Sequence, residues 1–113
     1  MTDHRLPDYL QHMRQAAADA MTFVEGMSRD EFLADKRTQQ AVIMSLIVLG
    51  EAATKVMDRH PEFANTHAQV PWRNMRGMRN RIAHGYFDID LAVVWETVQS
   101  ALPPLMAALR EMG

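Results

Sequence analysis

Residues 79–87 read RNRIAHGYF. An arginine, a histidine after four intervening residues and a tyrosine beyond one more position give Arg79, His84 and Tyr86, with the amide of Asn80 directly after the arginine. Imidazole titrates near neutral pH and serves as base or acid. A guanidinium keeps its charge and grips two phosphate oxygens in a fork. The set therefore suits work on a phosphate: hold it, and move a proton beside it. Each residue also has a plainer reading. A histidine near a helix C-terminus complements the dipole, and a tyrosine at a helix end packs against its neighbour, here Phe87.

Charge along the chain favours the phosphate reading. The 113 residues carry a net charge of −2, which by itself argues against a nucleic-acid binder. Yet no carboxylate occurs from Phe63 to Phe87, a stretch that contains Arg73, Arg76, Arg79 and Arg81. One local anion-binding surface on an acidic body is the expectation. Arg73, Arg76 and Arg81 are accordingly candidate phosphate ligands. Arg73 and Arg81, taken singly, are equally at home on a solvated face.

These side chains need a scaffold, and helix signals dominate. Length and composition suit one domain with one core, residues 1–113, and the absence of cysteine excludes disulfides and thiolate metal sites. A cytoplasmic setting is expected, since the N-terminal segment has no apolar stretch resembling a signal peptide. Pro7 and Asp8 suit a first turn, and Leu10, Met13, Ala17, Met21 and Val24 keep helical spacing up to Gly26 as C-cap. Ser28 and Glu31 form a capping box for a short helix through Phe32 and Leu33. A long helix is expected from Lys36 to His60, stopped by Pro61. Its apolar run, Ala41 to Gly50, is too short for a bilayer and reads as buried on several sides, by the domain itself or by a partner subunit. Residues 61–70 read as a loop. Pro71 starts a fourth helix at its first position and Gly85 ends it. A fifth begins near Asp88 or Asp90 and holds Leu91, Val94, Val98, Leu102, Leu105, Leu109 and Met112 in phase through Pro103 and Pro104, which must kink it. The fold class is all-α: an up-and-down bundle of four or five helices with a kinked C-terminal helix.

Wound at 100° per residue, Trp72, Met75, Met78 and Ile82 face the core. Arg73, Gly77, Asn80 and His84 form a polar stripe in which the glycine leaves room for a phosphate backbone. Arg79 lies about 140° from His84, near the apolar edge. Either the helix loosens before Gly85 or a second subunit completes the pocket. Glu51 pairs with Lys55 on its own helix or meets Arg79. His4, His12, His60 and His67 show no metal spacing and read as surface residues, the ten methionines as packing, and Trp95 as core.

The segments PWRNMRGMRNRIAHGYFDID, VWETVQSALPPL and FLADKRTQQAVIMSLIVLGEAA, with the arginine–histidine–tyrosine motif, resemble the HepT family of toxins in the HEPN superfamily, from about Leu6 to Leu109. The resemblance implies a helical bundle that dimerises, bringing two motif helices into one cleft, and a metal-independent ribonuclease that needs no cofactor. It implies catalytic roles for Arg79 and His84, support from Asn80, and silencing by an MntA-type nucleotidyltransferase antitoxin that transfers AMP from ATP to Tyr86. RNA brings its own nucleophile, the 2′-OH, so proton transfer and charge stabilisation at phosphorus suffice. Two other readings stand beside this: a catalytically silent HEPN module that binds a nucleotide or partner, and a helical adaptor built for assembly. No membrane association is expected.

Overall fold

In the computed structural model, which describes residues 5–112, the capping residues open their helices as their chemistry requires. His4 lies outside the described residues. Ser28 Oγ accepts from the Glu31 N–H at 3.1 Å while the Glu31 carboxylate accepts from the Ser28 N–H at 2.8 Å, starting α2 (Arg29–Leu33). Asp35 caps α3 (Lys36–Arg59) by accepting from the Thr38 amide at 3.2 Å and its hydroxyl at 2.9 Å. Those bonds, the amide first, hold the Asp35 carboxyl below the usual carboxylate range. Helix α1 (Leu6–Phe23) carries Pro7 in its first turn. It ends earlier than Gly26, which instead takes a left-handed φ of 79° in the turn that follows, a conformation costly to any residue with a Cβ.

Helices α1, α3 and α5 (Trp72–His84) pack in chain order, and α7 (Leu102–Glu111) returns against α1. Tyr9 at the start of α1 meets Arg59 at the end of α3, and Arg76 and Arg79 meet Asp58 and Glu51 in reverse order, so neighbours run antiparallel. The core centres on Met13, Phe32, Leu46, Leu49, Leu102 and Leu109, all essentially inaccessible. By length and composition α3 could cross a membrane; half of its apolar window is buried within the bundle, as befits a core helix. Its outer stripe leaves Met44 and Val48 exposed beside Phe23 of α1.

Three expectations change. Residues 61–70 are not all loop: Pro61–Thr66 form a short helix, α4. Pro61 presets its first turn, Glu62 suits the positive end, and Ala64 is buried. His67 closes it with Nδ1 3.0 Å from the Phe63 carbonyl and its ring stacked on Phe63 at 4.1 Å. His67 and His60, which lies against the Tyr9 ring at 6.3 Å, are thus half-buried packing elements rather than free surface residues. Pro71 sits one residue before α5 as its N-cap, because Trp72 is anchored from behind: its amide donates to Val70 at 2.9 Å and its indole to the His67 carbonyl at 3.1 Å.

The C-terminal helix is broken where the prolines demand it. Asp90 caps α6 (Leu91–Glu96), a π turn spans Thr97–Ala101, and α7 follows with Pro103 in its first turn. The Leu102 N–H reaches back five residues to the Thr97 carbonyl. A wider turn just before two residues that lack donors and crowd the previous turn relieves both problems. The stripe keeps its phase: Val94, Val98, Leu102, Leu105 and Leu109 are buried, whereas Leu91, Trp95 and Met112 are half-buried. Trp95 packs on Phe32 with ring centroids 5.4 Å apart.

Candidate active site on the fifth helix

Helix α5 packs broadly against α3 alone, and the crossing is close because Gly50 has no side chain. A Cβ there would overlap Arg79 Cβ and lie 2.8 Å from the Met75 carbonyl oxygen. Arg79 is thereby laid along α3. Its Nη1 donates to Glu51 Oε1 and its Nη2 to Thr54 Oγ1 at 3.3 Å, while the Thr54 hydroxyl is fixed by the Gly50 carbonyl at 2.8 Å. One turn earlier Arg76 Nη2 pairs with Asp58 Oδ1 at 2.6 Å. Arg76 and Arg79 are three residues apart and Asp58 and Glu51 seven, and they pair in reverse order across an antiparallel crossing. Glu51 therefore meets Arg79 and not Lys55. The Nε donors of Arg76 and Arg79 are buried without an acceptor, a cost accepted in keeping both guanidiniums at the crossing.

On the outer side of α5 the picture reverses. Arg73, Asn80, Arg81 and His84 are exposed, and none of their side chains has a hydrogen bond or ion pair to the described residues. A Cβ on Gly77 would meet only Arg81 Nη1, at 3.4 Å, so open surface lies over this glycine. Arg73, Asn80, Arg81 and His84 thus share an open polar face. Arg76, expected among the phosphate ligands, pairs with Asp58 through its Nη2. Arg79 points into α3 and His84 into solvent, so one chain does not gather the two into a pocket. After Gly85, a 3-10 turn (Tyr86–Asp88) carries Tyr86, 48% exposed, and Phe87. A cleft of about 510 Å³ between α5 and α6, lined by Met78, Arg81, Ile82, Gly85, Asp88 and Thr97 among others, opens behind this turn. Among the described residues no three His, Asp or Glu side chains gather as a metal site would require.

Gly50, Thr54 and Asp58 escaped the reading of the sequence. A glycine inside a long apolar helix, which costs about 1 kcal/mol relative to alanine, is a visible signal of close approach. Asp58 shows as a partner for Arg76 only once the pairing of α3 with α5 is known.

The signature of the HepT-like ribonucleases matches residues 13–112, including all of α3, α5 and the motif. The chain belongs to that family. It is 34% identical over 105 residues to the probable ribonuclease HepT of Thermococcus cleftensis, covering 93% of each chain. A candidate RNase of Methanocaldococcus jannaschii is 37% identical over 107 residues, 95% of this chain and 83% of that one. Another, from Caldanaerobacter subterraneus, is 33% identical over 104 residues, 92% of this chain and 90% of its own. No solved structure gives a significant match. Within this HepT-like chain, α5 is the helix that presents the motif and α3 is the rail that orients its arginine.

Proposed function

We propose that this HepT-like protein is a metal-independent endoribonuclease and the toxin of a type VII toxin–antitoxin pair. The observation that carries the reading is the exposed His84, without a partner among the described residues, on a cationic face five residues from an arginine held by Glu51 and Thr54. A base at His84 takes the proton of a 2′-OH, and the 2′ oxygen attacks the adjacent phosphorus. The bond to the 5′ oxygen breaks, and a second imidazolium protonates that leaving oxygen. Products are a 2′,3′-cyclic phosphate and a 5′-hydroxyl. A guanidinium has five N–H donors, and Arg79 gives one each to Glu51 and Thr54, so others remain for the dianionic phosphorane. Asn80 supports the same phosphate, and Arg73 and Arg81 hold its neighbours along the strand. Arg76 contributes as a brace for the crossing.

Two imidazoles in one cleft require two chains. The reading is therefore of a homodimer acting in the cytoplasm, and the exposed Phe23, Met44 and Val48 supply apolar surface for self-association. Purified protein incubated with bulk RNA in EDTA should cleave it, leave cyclic phosphate ends and sediment as a dimer. Intact RNA would favour the silent binding module, and an active monomer would remove the shared cleft.

Regulation is read at Tyr86. Its ring is half-exposed on the turn beyond Gly85, where a partner enzyme's ATP can reach the phenol. Adenylylation by an MntA-type antitoxin joins the phenol oxygen to the α-phosphorus of ATP and releases pyrophosphate. The added phosphate brings negative charge beside Arg81 and His84 and competes with RNA there. Incubation with the cognate nucleotidyltransferase and ATP should add one or more AMP masses to the Tyr86 peptide and abolish cleavage. Tyr86→Phe should take up none and stay active; equal labelling of both proteins would place the switch elsewhere.

A further inference from the structure

Phe87 is 98% exposed, the largest such value among the large apolar side chains described. A phenylalanine in water forgoes the burial that usually justifies the residue. It does not sit on a loose end. The Asp88 N–H donates to the Gly85 carbonyl at 2.9 Å, Gly85 itself donates to Arg81 at 2.9 Å, and Asp90 caps the next helix. Tyr86 and Phe87 meet edge to face, centroids 5.9 Å apart at 82°, which orients the ring. The turn thus holds a flat apolar surface out to solvent three residues from His84.

We propose that Phe87 is a stacking platform for an unpaired base of the RNA strand, so that the enzyme selects single-stranded substrate at its motif. This rests on the ribonuclease reading above. The surroundings decide between a base and a protein partner. Phe23, Met44 and Val48 line a continuous groove between α1 and α3 with Ala16 and Ala41, which suits packing by another apolar surface. Phe87 stands apart from that groove, with Asp88 and Asp90 after it and Arg81 and His84 before it. A protein face closing over it would strip water from those charges. A nucleobase stacks on the ring alone, leaves the carboxylates in water, and sets its own phosphate toward Arg81 and His84, which have no partner among the described residues.

The test uses a ten-nucleotide 2′-O-methyl RNA, which lacks the nucleophile and so reports binding without cleavage, together with cleavable RNA of the same sequence. In Phe87→Trp, emission should be quenched by the single strand and not by its duplex, against the unchanged background of Trp72 and Trp95 in wild type. Phe87→Ala should bind the single strand about tenfold more weakly and raise KM by a similar factor at preserved kcat, with Phe87→Tyr restoring both. Wild-type binding, KM and kcat in Phe87→Ala, with RNA still cleaved, would overturn the platform and leave the ribonuclease standing. Phe87-dependent binding by a protein that never cuts RNA would support the platform and remove the ribonuclease. Loss of the dimer in Phe87→Ala at unchanged oligonucleotide affinity would give the ring to a second copy and overturn the inference.

Discussion

His84→Ala is expected to lower RNA cleavage by about 100-fold or more while leaving the bundle intact. The magnitude is that of general acid–base catalysis by a positioned side chain. The separation from folding follows from the structure: the imidazole is exposed and makes no hydrogen bond with the described residues, so its removal opens no cavity and orphans no donor. Single-turnover cleavage and thermal melting on the same preparation measure both halves. A folded His84→Ala dimer that cuts at near wild-type rates would withdraw His84 from the reaction. Arg79 would be a poorer first target. Its loss would leave Glu51 and Thr54 facing an emptied crossing, so a slow variant would not tell a missing phosphate grip from a displaced helix.

Gly50→Ala should be the most damaging single-methyl change in the molecule. The new Cβ overlaps Arg79 Cβ and lies 2.8 Å from a main-chain oxygen, so no flexible side-chain tip is there to move aside. Helix α5 must back away from α3. Overpacking of this kind costs about 1–3 kcal/mol, and the upper half of that range corresponds to a melting temperature on the order of 10 °C lower for a chain this size. Cleavage should fall as well, because withdrawal of α5 takes Arg79 from Glu51 and Thr54. Gly77→Ala is the control: its Cβ would meet only the tip of Arg81 at 3.4 Å, and helix propensity gains about 1 kcal/mol. Equal melting temperatures for Gly50→Ala and wild type would show that the crossing is not set by this glycine.

How much of this was legible in the sequence depends on how local the cause is. The cap at Ser28, a helix start near Asp88 or Asp90, the stripes of α1 and α7 and the polar face of α5 are set by residues within a few positions of one another, and all were readable. Helix α4 was not, because it has no capping box like the one that announces the five-residue α2. Its order comes from Phe63, His67 and Trp72 packing together. The prolines foretold a kink in the last helix, whereas its form, a π turn, depends on the buried register it has to preserve. At the site, the types and spacing of Arg79, Asn80, His84 and Tyr86 stood out at once. Which arginine was spoken for did not, since Arg76 finds Asp58 only through a crossing of two helices. Nor did Phe87, because an aromatic residue beside a helix end is ordinarily expected to be covered.

The lean of α5 on one neighbour has an energetic side. Helix α1 packs against both α3 and α7, whereas the motif helix is held by one seam with its two ion pairs and by the indole hydrogen bond of Trp72. The free energy holding it closed is then only part of that holding the whole domain, and the motif helix can lift away while the rest stays folded. Amide protons of α5 would exchange with solvent through that partial opening, those of α3 only through global unfolding. The working surface of the enzyme can then open locally, and anything that binds both α5 and α3 makes the protein more rigid at the place where it acts.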